Sequence, residues 1–147
     1  MRFTALALGL FLFSGCVSAQ IDHSNYKGWG VITSSSGFLV RHPSDWKFIR
    51  SGSDSLFLYK GDLVHGLGLP SLGGMWVNVQ KTEDCGKGTD KFVDLGPISG
   101  RKGGPSLLEK IVCSGDFLIT LGLWNNDPNE KEHKRLLEKI ANTLQTY

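Results

Sequence analysis

The stretch at residues 106–124, SLLEKIVCSGDFLITLGLW, decides the fold class. Residues 106–113 and 117–124 are two runs rich in Leu, Ile, Val and Phe. Between them stands Ser114-Gly115-Asp116, a cluster of small and polar residues. β-branched and aromatic side chains fit a pleated, half-buried surface, and a short Gly-containing connection joins antiparallel neighbours. The stretch therefore predicts a β-hairpin.

Downstream of the hairpin the apolar period changes. Asp127 reads as an N-cap, Pro128 as the first helical residue, and Glu130 as the far member of a capping box. His133, Leu136, Leu137, Ile140 and Leu144 share one helical face, and Lys131, Glu132, Lys134, Arg135, Glu138 and Lys139 cover the other. A sheet with one apolar face needs a cover, so this helix is expected to pack on it.

Upstream, strands are expected at 29–33, 38–42, 46–50, 55–60 and 75–80, with a short strand or helical turn at 92–95. Ser34-Ser35-Ser36-Gly37 and Ser51-Gly52-Ser53-Asp54 punctuate them as turns. Two glycine-rich loops remain, at 61–74 and 96–105, and a polar segment at 83–91. The whole reads as one α+β domain: an antiparallel sheet of about six to eight strands covered by a C-terminal amphipathic helix. Trp29, Trp46, Trp76 and Trp124 are mainly core candidates by alternation, with about one of them reaching the surface.

Composition bounds the rest. The chain has 147 residues, 40% hydrophobic and 20% charged, which is a globular balance and excludes a disordered chain. Its 19 glycines follow no period, which excludes a collagen-like repeat. A net charge of +2 lacks the basic footprint of a nucleic-acid binder.

Met1-Arg2 is a short positive start, residues 3–13 are apolar, and Ser14, Gly15, Ser18 and Ala19 are small. This pattern predicts a secretory signal, too short for a stable bilayer span. Two boundaries compete. Val17-Ser18-Ala19 fits cleavage before Gln20, giving a signal at 1–19 and a domain at 20–147. Phe13-Ser14-Gly15-Cys16 is similar to a bacterial lipoprotein box, giving a signal at 1–15 and lipidation of Cys16. Either way the domain is expected in the periplasm, with a membrane contact only through a lipid on Cys16. Cys85 and Cys113 are then an even pair in an oxidising compartment and are expected to form a disulfide. The competing assignment is two free buried thiols.

Gly37-Phe38-Leu39-Val40-Arg41-His42-Pro43-Ser44-Asp45-Trp46-Lys47 resembles the strand, proline, tight turn and core tryptophan that open PsbP-like domains. His42 stands where the family has Tyr, and Asp45 where it has Gly. Leu137-Glu138-Lys139-Ile140-Ala141-Asn142-Thr143-Leu144 resembles the family's closing amphipathic helix. The likeness covers most of residues 28–145. It implies an antiparallel sheet flanked by helices, and roles as photosystem accessory proteins, envelope lipoproteins or periplasmic immunity proteins against type VI secretion effectors that cut peptidoglycan. Most such members bind partners and are not enzymes. Fold alone does not choose among these roles.

The residues offer little catalytic chemistry. His23, His42, His65 and His133 are dispersed, without metal-ligand spacing, so no metal or other cofactor is expected. Ser44-x-x-Lys47 matches a serine–lysine motif, but that chemistry needs a helix under the serine and a Lys-Thr-Gly element. Cys85-Gly86-Lys87-Gly88-Thr89 lacks phosphate-loop spacing.

The loop at 61–74 is more informative, because it carries apolar side chains on an irregular backbone. Such a loop is either a contact surface or is folded back onto the sheet. The expected contact residues are Leu63, His65, Leu67, Leu69, Ser99, Arg101 and Lys102, with the Cys85–Cys113 bridge stiffening both loops. The expected function is a non-enzymatic inhibitor or immunity protein that plugs the cleft of a cell-wall hydrolase. The alternative is an envelope lipoprotein or assembly factor.

Overall fold

The computed structural model describes residues 23–147. The expected signal at 1–19, the alternative boundary at 15 and Cys16 lie outside the described residues. The described residues form nine strands and one α-helix, after a 3-10 turn at His23–Tyr26. All strand pairing is antiparallel. The fold is α+β, as the patterning predicts.

The hairpin at the centre of the sequence reading is present as β7 (Ser106–Ser114) and β8 (Phe117–Trp124). Their register runs from Leu107 opposite Trp124 to Ser114 opposite Phe117. With β3 (Lys47–Ser51), β4 (Ser55–Lys60), β5 (Met75–Lys81) and β6 (Val93–Pro97) they build a six-stranded sheet in the order β3-β4-β5-β8-β7-β6.

A single sheet is not what forms. β1 (Trp29–Ser34) and β2 (Phe38–Pro43) pair separately, with β9 (Gln145–Thr146) on the other side of β2. The break falls at Pro43, which has no N–H to continue a ladder. The Trp46 amide donates to the Pro43 carbonyl at 3.1 Å, closing a turn that carries the chain into β3. β9, a strand only two residues long, is too short to leave a periodic signal.

Alternation sorts the six-stranded sheet into two faces. Leu56, Leu58, Met75, Val77, Val79, Phe117, Ile119, Leu121 and Leu123 fill the core side. Phe38 and Val40 of the smaller sheet complete it, and the Phe38 and Phe117 rings meet edge to face at 5.0 Å. The helix α1 (Glu130–Ala141) packs on this side through Leu137, Ile140 and Ala141. Trp46, Trp76 and Trp124 are buried and Trp29 is half-buried.

The helix starts later than its expected cap. Asn129, not Asp127, takes the N-cap position, and its side chain makes no cap bond. Asp127 closes the turn before it: Oδ1 accepts from the Asn129 amide at 2.8 Å and the carbonyl accepts from the Glu130 amide at 3.2 Å. Its other carboxylate oxygen meets His133 Nδ1 at 2.5 Å. Glu130 pairs with Lys134 one turn on, so no capping box forms.

Cys85 and Cys113 are bridged, with Cα atoms 5.8 Å apart. The bridge ties the segment before β6 to the last part of β7. Thr89 also clasps Ile111 there: its amide donates to the Ile111 carbonyl and its hydroxyl accepts from the Ile111 amide, each at 2.8 Å. This covers the length of the β7 edge that β6, paired only with Ser106 to Glu109, leaves open.

Candidate functional site

Strand order brings the two glycine-rich loops together. The 61–74 loop enters β5 at Met75, which pairs with Leu123 near the end of β8. The second loop enters β7 at Ser106, beside Trp124 at the same end. Both loops therefore project from one end of the sheet.

The first loop is a miniature hairpin. Leu63 bridges Pro70, the Val64 amide donates to the Leu69 carbonyl at 2.9 Å, and the Ser71 amide donates to the Asp62 carbonyl at 2.7 Å. It folds over the sheet face opposite the core, where the Trp124 indole N–H donates to the Pro70 carbonyl at 3.1 Å. Gly74 makes that close approach feasible, since a Cβ there would sit 2.4 Å from the Pro70 Cβ. The turn of this hairpin points outward.

The second loop is built from tight turns. The Gly100 amide donates to the Pro97 carbonyl, the Gly104 amide to the Arg101 carbonyl, and the Ile98 amide to the Pro105 carbonyl, at 3.0–3.3 Å. Its incoming stem is fixed by Asp94, whose Oδ1 accepts from the Gly96 amide at 2.8 Å. That amide holds the Asp94 carboxyl below the usual carboxylate range. Its outgoing stem is fixed by Asn125, which exchanges hydrogen bonds with the Ser106 backbone.

Between the loops lies an apolar cup of about 510 Å³. Val64, Leu67, Ser71 and Leu72 form one wall, Ile98, Ser99 and Pro105 the other, and Trp124 contributes to both the cup and the interior. Four aliphatic side chains face it while well exposed: Val64 37%, Leu67 52%, Leu72 57% and Ile98 44%. Exposed aliphatics gathered into one concavity mark an interaction surface more strongly than the same residues scattered singly.

Of the expected contact residues, Leu67 and Ser99 line the cup. Arg101 and Lys102 are exposed on the loop that supplies its second wall. His65 is exposed beside the first wall, and Leu63 and Leu69 are half-buried in the body of the miniature hairpin. Val64, Leu72, Ile98 and Trp124 were not among them. Ile98 had a legible signal, as the one aliphatic residue in a loop of glycine, proline, serine and cations.

The disulfide does not lie beside these loops, where it was expected to stiffen them. Ser106 and Cys113 lie seven residues apart on one extended strand, roughly 23 Å at the usual rise. The bridge sits at the end of the sheet away from the cup.

Elsewhere, a polar cleft of about 570 Å³ runs between α1 and the clasp at Thr89, with Lys110 bound to Glu138 at 2.7 Å. Ser44 and Lys47 lie at the turn into β3, and Lys47 Nζ pairs with Asp62 at 3.5 Å. Among the described residues, no group of three or more His, Cys, Asp or Glu is placed to hold a metal ion.

No family model matches the chain, and no curated protein matches it. Among solved structures, a crystal structure from Bacteroides thetaiotaomicron aligns over 82% of this chain and 49% of its own, at 12% identity and a TM-score of 0.44. The chain thus spans about half the length of that protein, a likeness too slight to carry a conclusion about either fold or function.

Proposed function

We propose that this chain is an exported, PsbP-like binding domain that docks on a protein partner through the cup between its two loops. The partner class is a cell-wall hydrolase of the type VI secretion kind, which the domain neutralises as a periplasmic immunity protein by filling its cleft. The observation that carries the docking is the cup itself, where Val64, Leu67, Leu72 and Ile98 stay exposed on walls fixed by backbone hydrogen bonds. Walls ordered before contact lose less entropy on binding. The partner class is supported by the export segment read at 1–19 and the resemblance carried by residues 37–47.

The test immobilises the oxidised chain, captures partners from envelope and secreted fractions, and assays what is captured. The expected result is a stoichiometric peptidoglycan hydrolase whose cleavage stops when this chain is added. Leu67→Ser with Leu72→Ser should lose both capture and inhibition while leaving the unfolding free energy from urea titration within about 0.5 kcal/mol of the parent, as exposed positions do. Capture and inhibition unchanged by that pair would sink the docking surface. Recovery of envelope assembly proteins in place of a hydrolase would replace the partner class with the assembly-factor reading.

A further inference from the structure

Resting on the docking surface just proposed, we infer that the cup selects an acidic protein segment: a bulky apolar anchor residue flanked by Asp or Glu. The inference comes from charge at the rim. None of the residues lining the cup is ionised at neutral pH. The two loops together carry only Asp62, Arg101 and Lys102, besides His65. Asp62 is engaged by Lys47 at 3.5 Å. Arg101 and Lys102 are exposed and make no ion pair among the described residues.

The position of the two cations is set by the turns of the second loop. The Arg101 amide lies 3.4 Å from Ser99 Oγ, and Ser99 lines the cup. The Arg101 carbonyl accepts from Gly104, one residue before Pro105, which also lines it. Arg101 and Lys102 therefore stand at the tip of the wall that Ile98, Ser99 and Pro105 form. An apolar concavity with unpaired cations on one lip fits an apolar side chain with carboxylates beside it. Anchors of this kind supply most of the affinity, and rim charges supply orientation and rejection of wrong partners.

Two other occupants fit less well. A second copy docking face to face would lay this patch against itself, and the patch offers Arg101 and Lys102 no free carboxylate, since the cup lining has none and Asp62 is engaged by Lys47. A lipid surface is held electrostatically by clusters of about four to eight cations, and this rim has two.

The test selects peptides from a random display library on the oxidised chain, then measures the enriched peptides in solution. Enrichment of Phe, Trp or Leu flanked by Asp and Glu is expected. Arg101→Glu with Lys102→Glu should weaken those peptides at least tenfold, and a repeat selection on that variant should turn to Lys- and Arg-flanked anchors. Far-UV circular dichroism and the urea midpoint confirm that the variant is folded.

Peptides that need Leu67 and Leu72 but show no acid preference would overturn this inference and leave the docking surface standing. A library with nothing enriched through Leu67 and Leu72 would overturn both. Sedimentation with phosphatidylglycerol vesicles, or self-association in the ultracentrifuge, would equally overturn it if abolished by the same charge reversal.

Discussion

Gly122 sits inside β8 because the indole of Trp76 occupies the space its side chain would need. A Cβ built there lies 2.0 Å from Trp76 Cε2 and 2.1 Å from Cζ2. Gly122→Ala is therefore expected to cost about 3 kcal/mol, the upper part of the overpacking range, read as a fall in the urea midpoint. Glu109 of β7 stands between Gly122 of β8 and Val93 of β6, and its carboxylate makes no hydrogen bond or ion pair among the described residues. Burial pushes its carboxyl above the usual glutamate range. An acid whose folded pKa is raised is penalised when ionised, so the penalty acts above the folded pKa and vanishes where both states are protonated. Glu109→Gln should accordingly raise stability at pH 7, and the gain should fade as pH falls from the raised folded pKa to the ordinary glutamate value of about 4.3, and be gone below it. Equal gains at pH 7 and pH 3 would mean that charge is not the cause. Neither residue's role is legible in sequence. A glycine in an apolar run and a glutamate on an alternating strand look ordinary until register sets Trp76, Gly122 and Glu109 in one row.

Elements were legible where periodicity is long, and their ends were not. The eight residues of β8 and the apolar stripe of α1 announce themselves, because burial imposes their spacing over several turns or pleats. The start of α1 was misplaced because Asp127 has two carboxylate oxygens and a competing use for each. One accepts from Asn129 and the other meets His133, which lies a turn inside the helix. The Asp127 side chain is 2% exposed, so it joins the end of β8 to the helix from within the protein. Asp127→Ala should cost about 2 kcal/mol, because it orphans the Asn129 amide and the His133 ring nitrogen together. Asp127→Asn keeps an acceptor for Asn129 and should lose less. Urea titration followed at a helical wavelength separates the two variants, and equal losses would show that the Asn129 bond carries none of the effect.

At the scale of the whole molecule, the candidate site depends on which loops share an end of the sheet, and that follows from strand order. The residues of both loops were legible as unusual, yet nothing in the chain states that β8 lies between β5 and β7. That order puts the loops entering β5 and β7 side by side and sends Cys113 to the opposite end. The disulfide and the cup are therefore separable. The bridge closes a loop with a sequence separation of 28, worth about 3–4 kcal/mol by restricting the unfolded chain. Cys85→Ser with Cys113→Ser should lower global stability by about that amount. The same variant, kept well below its melting temperature, should bind the partner or the acid-flanked peptides with affinity unchanged within about twofold, since the cup's hydrogen bonds belong to Pro70, Trp124, Ser106 and Asn125. Urea titration reads the first effect and calorimetric titration the second. A large loss of affinity in the folded variant would mean that strain travels the length of β7, and the cup would then be stiffened by the bridge after all.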